Sequence, residues 1–382
     1  MYWNAWGGSA QYNDYIAWVG KRVAEDYGVM LEHVRLSDTA DAVRTVLAEK
    51  QAGTEHGSID LIWINGANFH AMKEANLLYE QFAEELPNFD LVHPDKNPAT
   101  IQDFGIPTEG YESPWGMARF NFIYDSARIQ NPPRSAMEFL KYARKNPGRL
   151  SHPFPADFTG MAFLKQVLLE LSDSDPVLYA PVQSEAFDKV IPLLWDYIDA
   201  LEPYLWREGK DFPANEAILL ELLKNNAVDM AMSYNSGAAS SAIAYGDLPK
   251  TVRSFAFDAG TLGNVDFVTI PFNSPSPEGA MVVANFLLSP EAQAMRQNPK
   301  VWGDYTVLDL DSARLTPEDK ALFDALPTLS AQIQNLGKVL PELHPSWTEA
   351  LRQWWVNRRR NGLRFPFREV HLYNDDLTED FR

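Results

Sequence analysis

The alternation of strand and helix over the first 64 residues constrains the fold more than any other feature of this chain. Tyr2–Trp6 reads as a short strand. Tyr15, Ile16, Val19, Val23 and Tyr27 then recur at helical spacing until Gly28 stops the helix. Val29–Leu36 reads as a second strand. Ser37 or Asp38 caps a helix carrying Ala42, Val43, Val46 and Leu47, which ends near Gly53. Ile59–Ile64, the run IDLIWI, is almost wholly apolar, as a strand covered on both faces must be. This βαβαβ order specifies an open α/β sheet, whose ligands sit beyond the carboxyl ends of the strands. The junctions WGGS and INGANF fall at those ends.

A Pro-, Asp- and Glu-rich stretch, Pro87–Ser113, reads as a long surface connection, and Pro114–Asp125 (PWGMARFNFIYD) as one extended strand. After Asn131-Pro132-Pro133 come a short helix, Ser135–Lys145, and a second α/β unit. Its elements are helices at Met161–Leu171, Ile191–Leu205 and Ala214–Lys224 and a strand at Val228–Ser233. Val265–Phe272 (VDFVTIPF) reads as a return strand. Helices are expected at Gly279–Leu288, Pro290–Gln297, Pro317–Leu326 and Trp347–Arg359. Two extended segments that bracket an α/β block imply an inserted domain. The expected first lobe is residues 1–117 and 268–382, including the C-terminal helices, and the second is residues 118–267. Hinge strands near 114–125 and 264–272 would let the lobes close on a ligand in the cleft between them.

Composition narrows the function. At 382 residues, with 46% hydrophobic and 22% charged residues, two globular domains are the default. No apolar run reaches the length of a membrane helix, and no leader precedes the first strand. The absence of cysteine excludes disulfides and thiolate chemistry and suits an oxidising compartment. A formal net charge of −19 disfavours nucleic acid and mildly favours a cationic ligand, although solubility alone explains such a charge. The seven histidines are scattered without zinc spacing, and neither a nucleophile elbow nor a Walker loop occurs. No catalytic residue, metal or cofactor is therefore expected.

Three places could bind a small molecule. In WGGS, Trp6 offers a ring, Gly7 and Gly8 bring backbone close, and Ser9 opens a helix with free amides; Asn4 lies on the strand leading into it. A purely structural turn is the alternative. In FPADFTGMAF, Asp157, Phe158, Thr159 and Gly160 precede an amphipathic helix; they either present amides to a ligand or simply cap that helix. In MSYNSG, Tyr234, Asn235 and Ser236 follow a buried strand as either a ligand wall or a turn with a structural tyrosine. Trp63, Asn65 and Gly66 at INGANF and Trp115 in PWGMARF complete the candidate set. Aromatic faces at a cleft stack on rings or attract cations, and core packing competes for every tryptophan. Alternation sends Trp3 and Trp6 to different faces, which favours Trp6 for the cleft.

GNVDFVTIPFNSP followed by EGAMVVANFLLSPEAQA resembles the C-terminal signature of periplasmic solute-binding proteins of ABC importers. With YWNAWGGS, IWINGANF, PWGMARFNFIYD, DFTG and MSYNSG, the chain is similar to the YnjB group, a relative of the thiamine and polyamine binders. The resemblance implies a type II periplasmic-binding-protein fold: two α/β lobes, each a sandwich around a mostly parallel sheet, with the cleft between. It also implies a monomer without membrane insertion, reaching the periplasm by a leader not present in this chain. Such a protein captures a small solute and passes it to a permease in the inner membrane. The adjacent tyrosines of ferric-iron binders are missing. Acidic charge and aromatic strand ends point to a thiamine-like or amine cation or zwitterion; a carbohydrate or an organic acid is the alternative, and a cleft enzyme or a sensor ectodomain the rival class.

Overall fold

The computed structural model describes residues 1–7, 10–327, 331 and 338–361, with side chains of the last helix described to Arg358. β1 (Tyr2–Trp6), α1 (Ala10–Tyr27), β2 (Glu32–Leu36), α2 (Ala40–Gln51) and β3 (Leu61–Ile64) form the expected alternation. β1 runs parallel to β2 on one side and to β3 on the other. α3 (Ala67–Glu74) and a small hairpin, β4 (Gln102–Asp103) with β5 (Ile106–Pro107), lead to β6 (Glu112–Arg119) and β7 (Asn121–Asp125). The middle of the chain carries α4 (Ala136–Lys145), α5 (Phe158–Leu171), α6 (Ser184–Leu201), α7 (Glu216–Lys224), β8 (Met230–Ser233), α8 (Ala238–Ala244) and β9 (Val252–Phe255). β10 (Thr261–Thr269) returns. It is followed by α9 (Pro277–Leu287), α10 (Pro290–Gln297), α11 (Pro317–Asp324), β11 (Val339–Leu340) and α12 (Pro345–Asn361).

The strands make two main sheets. The first has the order β11-β10-β3-β1-β2, with β6 also antiparallel to β10. In the second, β7 lies between β8 and β9 and is antiparallel to both. The segment expected as one strand, Pro114–Asp125, is broken at Phe120, where the chain leaves one sheet for the other. Phe120 is fully buried and donates its amide to the Leu262 carbonyl across the break. The Asn121 side-chain amide donates to the carbonyls of Arg119, Ser233 and Asn235, tying the two sheets together at the break.

Two hydrophobic cores result. One gathers β1, β3, α1, α9 and the aromatic cluster Trp3, Tyr15, Trp115 and Trp302; the other packs α4–α7 on the second sheet. Two further segments depart from the sequence reading. Pro87–Ser113 is not simply a surface connection, because Phe89, Leu91 and Val92 enter the first core. The C-terminal helix does not stay with the first lobe. Trp347, Leu351, Trp354 and Trp355 of α12 lie in the second core, and the Trp347 indole donates to the Ala180 carbonyl. The apolar periodicity of α12 shows that one face is buried but not against which lobe.

The signature SPEAQA has a specific use. Ser289 caps α10 by accepting from the Ala292 amide, and Pro290 takes the first turn. Gln293 and Arg296, three residues apart, then point inward. The Gln293 amide donates to the carbonyls of Trp115 and Leu287, while its oxygen accepts from Thr306 and Val307. Arg296 is fully buried between Trp115 and Trp302, 3.8 and 4.3 Å from their rings, and pairs with Asp266 and Asp304. Gly116 is required beside it, since a Cβ there would overlap the guanidinium. Arg296→Ala strands two buried carboxylates without their cation, so chemical denaturation is expected to show a loss of about 3–5 kcal/mol.

Candidate functional site

A cavity of about 310 Å³ lies between the two cores. Trp6, at the end of β1, reaches it, whereas Trp3 is buried behind the sheet, as strand alternation requires. Tyr12, in the first turn of α1, is the centre of an aromatic group. Its ring stacks on Trp6 at 6.1 Å, meets Trp63 edge-on at 5.8 Å and lies 4.2 Å from Trp302. Trp63 is set by β3, and Asn65 behind it donates to the Val265 carbonyl at 2.6 Å. Thr39, the N-cap residue of α2, fixes the same strand end, its hydroxyl donating to the Trp63 carbonyl.

The second lobe contributes Asp157, Phe158, Thr159, Glu216, Tyr234 and Asn235. Glu216 opens α7, next to the capping residue Asn215. Its carboxylate accepts from the hydroxyls of Ser233 at 2.5 Å and Thr159 at 2.7 Å and from the Tyr234 amide at 3.3 Å. Burial pushes it up to about 7 against those donors. Asp304, from the loop after α10, is pushed up to about 6 by burial, which Arg296 opposes. Asp266 is likewise raised by burial and restrained by Arg296 and by the Trp63 indole. Tyr234 is nearly buried; its hydroxyl donates to Glu342, which also holds Lys165 at 2.6 Å.

Half of the sequence candidates meet here: Trp6, Trp63, Asn65, Asp157, Phe158, Thr159, Tyr234 and Asn235 all line the cavity. The others differ for identifiable reasons. Asn4 is buried in mid-strand between β2 and β3. Gly7 makes room for the Arg35 side chain, which a Cβ would meet at 2.5 Å. Gly8 and Ser9 lie outside the described residues. Gly66 adopts a positive φ of 58°, donates its amide to Asp103 and faces the Phe104 ring, so its freedom serves the turn into α3. Trp115 is fully buried under Arg296. Gly160 packs against the carbonyls of Pro153 and Phe154, leaving no space for a ligand. Ser236 is buried and gives its amide to Asp304.

The helix starts are also spoken for. Asp157 accepts from the amides of Thr159 and Gly160, the capping alternative, and Asn235 takes the Gly237 amide. Sequence reasoning missed Tyr12, Glu216, Trp302 and Asp304, as well as Lys165, Thr348 and Arg352 on the second-lobe side of the cleft. Glu216 was reachable by the strand-end and helix-start logic applied to DFTG; Trp302 and Asp304 sit in a loop with no periodic signal.

The same loop also packs closely against the second lobe. A Cβ on Gly237 would overlap the Trp302 carbonyl oxygen, and one on Gly303 would lie 2.5 Å from the Gly237 Cα. Nearby, Asn235 donates to the Tyr12 hydroxyl at 3.4 Å. Bare backbone on both sides lets the turn bearing Tyr234 nest against the loop bearing Trp302.

Residues 18–309 match the family described as bacterial extracellular solute-binding protein. The chain belongs to this family. It is an extracellular solute-binding protein, as the signature and the two-lobed α/β fold led one to expect. It is 43% identical over 359 residues to protein YnjB of Escherichia coli (strain K12), an alignment covering 94% of this chain and 90% of that protein. Its fold is similar to that of a periplasmic thiamin binding protein, with a TM-score of 0.62, 17% identity and coverage of 95% of this chain and 96% of that one. It is also similar to the periplasmic binding protein AfuA from Actinobacillus pleuropneumoniae, solved with fructose-6-phosphate, with a TM-score of 0.63, 13% identity and coverage of 94% and 96%. Among the described residues no helix is long and apolar enough to cross a membrane.

Two outcomes follow from this geometry. A carboxyl raised in the folded state binds more protons folded than unfolded, so stability falls as pH rises between its ordinary and its raised value. Melting temperatures of the ligand-free protein are therefore expected to fall as pH rises from the ordinary value of 4.5 to the raised value of about 7, and Glu216→Gln to flatten the profile over that window. Gly237→Ala is expected to hold the lobes apart, read as a larger radius of gyration by small-angle scattering with unchanged secondary structure.

Proposed function

We propose that the cleft captures a small organic cation or zwitterion with an apolar or aromatic part, thiamine-like or an amine, by closure of the two lobes. The observation that carries this reading is the aromatic group of Trp6, Tyr12, Trp63 and Trp302 bordered by Asp157, Glu216, Asp266 and Asp304. Ring faces attract a cation and carboxylates neutralise it. An organic acid would meet helix-start amides already taken by Asp157, Asn235 and Asp304, amid several carboxylates. The aromatic faces by themselves suit a sugar as well, but a neutral sugar brings no charge to balance Glu216. The lobes are proposed as residues 1–117 with 268–327 and residues 118–267 with the C-terminal helix, hinged at β6–β7 and β10. The protein acts as a binder in the periplasm and hands its solute to a permease in the inner membrane.

Calorimetric titration with thiamine, choline, putrescine and a panel of neutral sugars tests the ligand class. Cations are expected to bind, and Tyr12→Ala, Trp6→Ala and Glu216→Gln each to weaken binding by about 1–3 kcal/mol while the fold survives. Because a cation selects the ionised form of Glu216, affinity is expected to rise from pH 6 to 8, with proton release on binding. Heat from a neutral sugar and from no cation would overturn the ligand class. An unchanged radius of gyration on proven binding would overturn closure.

A further inference from the structure

The wall of the cleft built by α12 makes a demand that a simple cation does not meet. Thr348 and Arg352 are four residues apart, on one face of that helix, and both line the cavity. Among the described residues lining it, the basic side chains are Lys165 and Arg352. Lys165 is committed: Glu342 holds it in a buried pair, and it lies 4.8 Å over the Phe104 ring. Arg352 is not. Its ion-pair partner is Glu349, one turn earlier on the same helix at 3.0 Å, with the two side chains 49% and 43% exposed. Pairs of this kind are weak and exchange readily. Beside it, the Thr348 hydroxyl oxygen is buried with no hydrogen-bond partner among the described residues, an unmet polar group in the same wall. α12 also reaches the opposite lobe, the His344 ring just before its first turn standing 6.3 Å from His70 of α3. An anchor on this helix is therefore assembled at the lobe boundary.

We propose that Arg352, supported by Thr348, recognises an anionic oxygen group, a carboxylate or a phosphate, on the end of the solute remote from its cation. The inference rests on the cation reading above and deepens it. The protein selects bipolar solutes over simple cations. The guanidinium fork suits such a group because it can donate two parallel hydrogen bonds to two of its oxygens, with Glu349 released to solvent.

Matched probes separate the two ends: choline against phosphocholine, and thiamine against thiamine monophosphate, titrated calorimetrically. The phosphorylated member of each pair is expected to bind about ten-fold tighter or more, roughly the gain from one charge-assisted bidentate contact. Arg352→Ala is expected to collapse the ratio of the two affinities, Arg352→Lys to restore part of it, and Glu349→Gln to raise it. A purely structural role for Arg352 would change both affinities and leave the ratio alone. Cation binding without a phosphate preference, or a ratio unmoved by Arg352→Ala, overturns this inference and leaves the cation reading standing. Absence of heat from every probe overturns both.

Discussion

The buried Arg296 guanidinium ties together the parts on which the cleft depends. It stands on α10, is sandwiched by Trp115 of β6 and Trp302 of the following loop, and pairs with Asp266 of β10 and Asp304 of the same loop. β6 and β10 are the strands at which the chain enters and leaves the second lobe. A buried charge is tolerated only where its partners are held in place, so each of these groups fixes the others. The floor of the cleft and the strands proposed as the hinge are consequently one packed unit. That arrangement also explains the signature around SPEAQA. Its serine and proline start the helix, and the inward positions three residues apart, Gln293 and Arg296, grip the backbone and aromatics of β6.

Much of the fold was legible because apolar periodicity reports burial directly. β1, α1, β3 and α10 fall where their patterns place them. The strand break at Phe120 was not legible. Every residue from Pro114 to Asp125 suits an extended chain, and the break comes from a change of sheet, which is a tertiary event. The second-lobe placement of α12 is of the same kind. Its tryptophans signal a buried face, but a sequence does not say which core receives it.

The site was half legible for a related reason. Strand ends and helix starts are local features, and they led to Trp6, Trp63, Asp157 and Tyr234. The reading then assigned their neighbours to the same role. Gly66, Gly160 and Ser236 directly follow the lining residues Asn65, Thr159 and Asn235 and serve the local backbone instead. Residues such as Tyr12 and Asp304 come to the cleft from a helix face and a loop, through long-range packing around Arg296 and the Gly237–Gly303 contact. Neither carries a local mark.

The carboxylates of the cleft fall into two kinds, and the difference bears on how closure could be linked to capture. Asp266 and Asp304 have Arg296 as their cation, so their charge is largely settled within the protein. Among the described residues, Glu216 is held by neutral donors, the Ser233 and Thr159 hydroxyls and the Tyr234 amide. These donors orient the carboxylate but do not balance its charge, and burial therefore lifts its proton affinity toward neutral pH. An empty cleft closing over Glu216 must bury either a proton or an uncompensated charge. A cation entering with closure removes that penalty, whereas a neutral solute leaves it in place. On the proposed cation reading, closing would become favourable mainly when a solute of the right charge is inside, which would couple capture to closure.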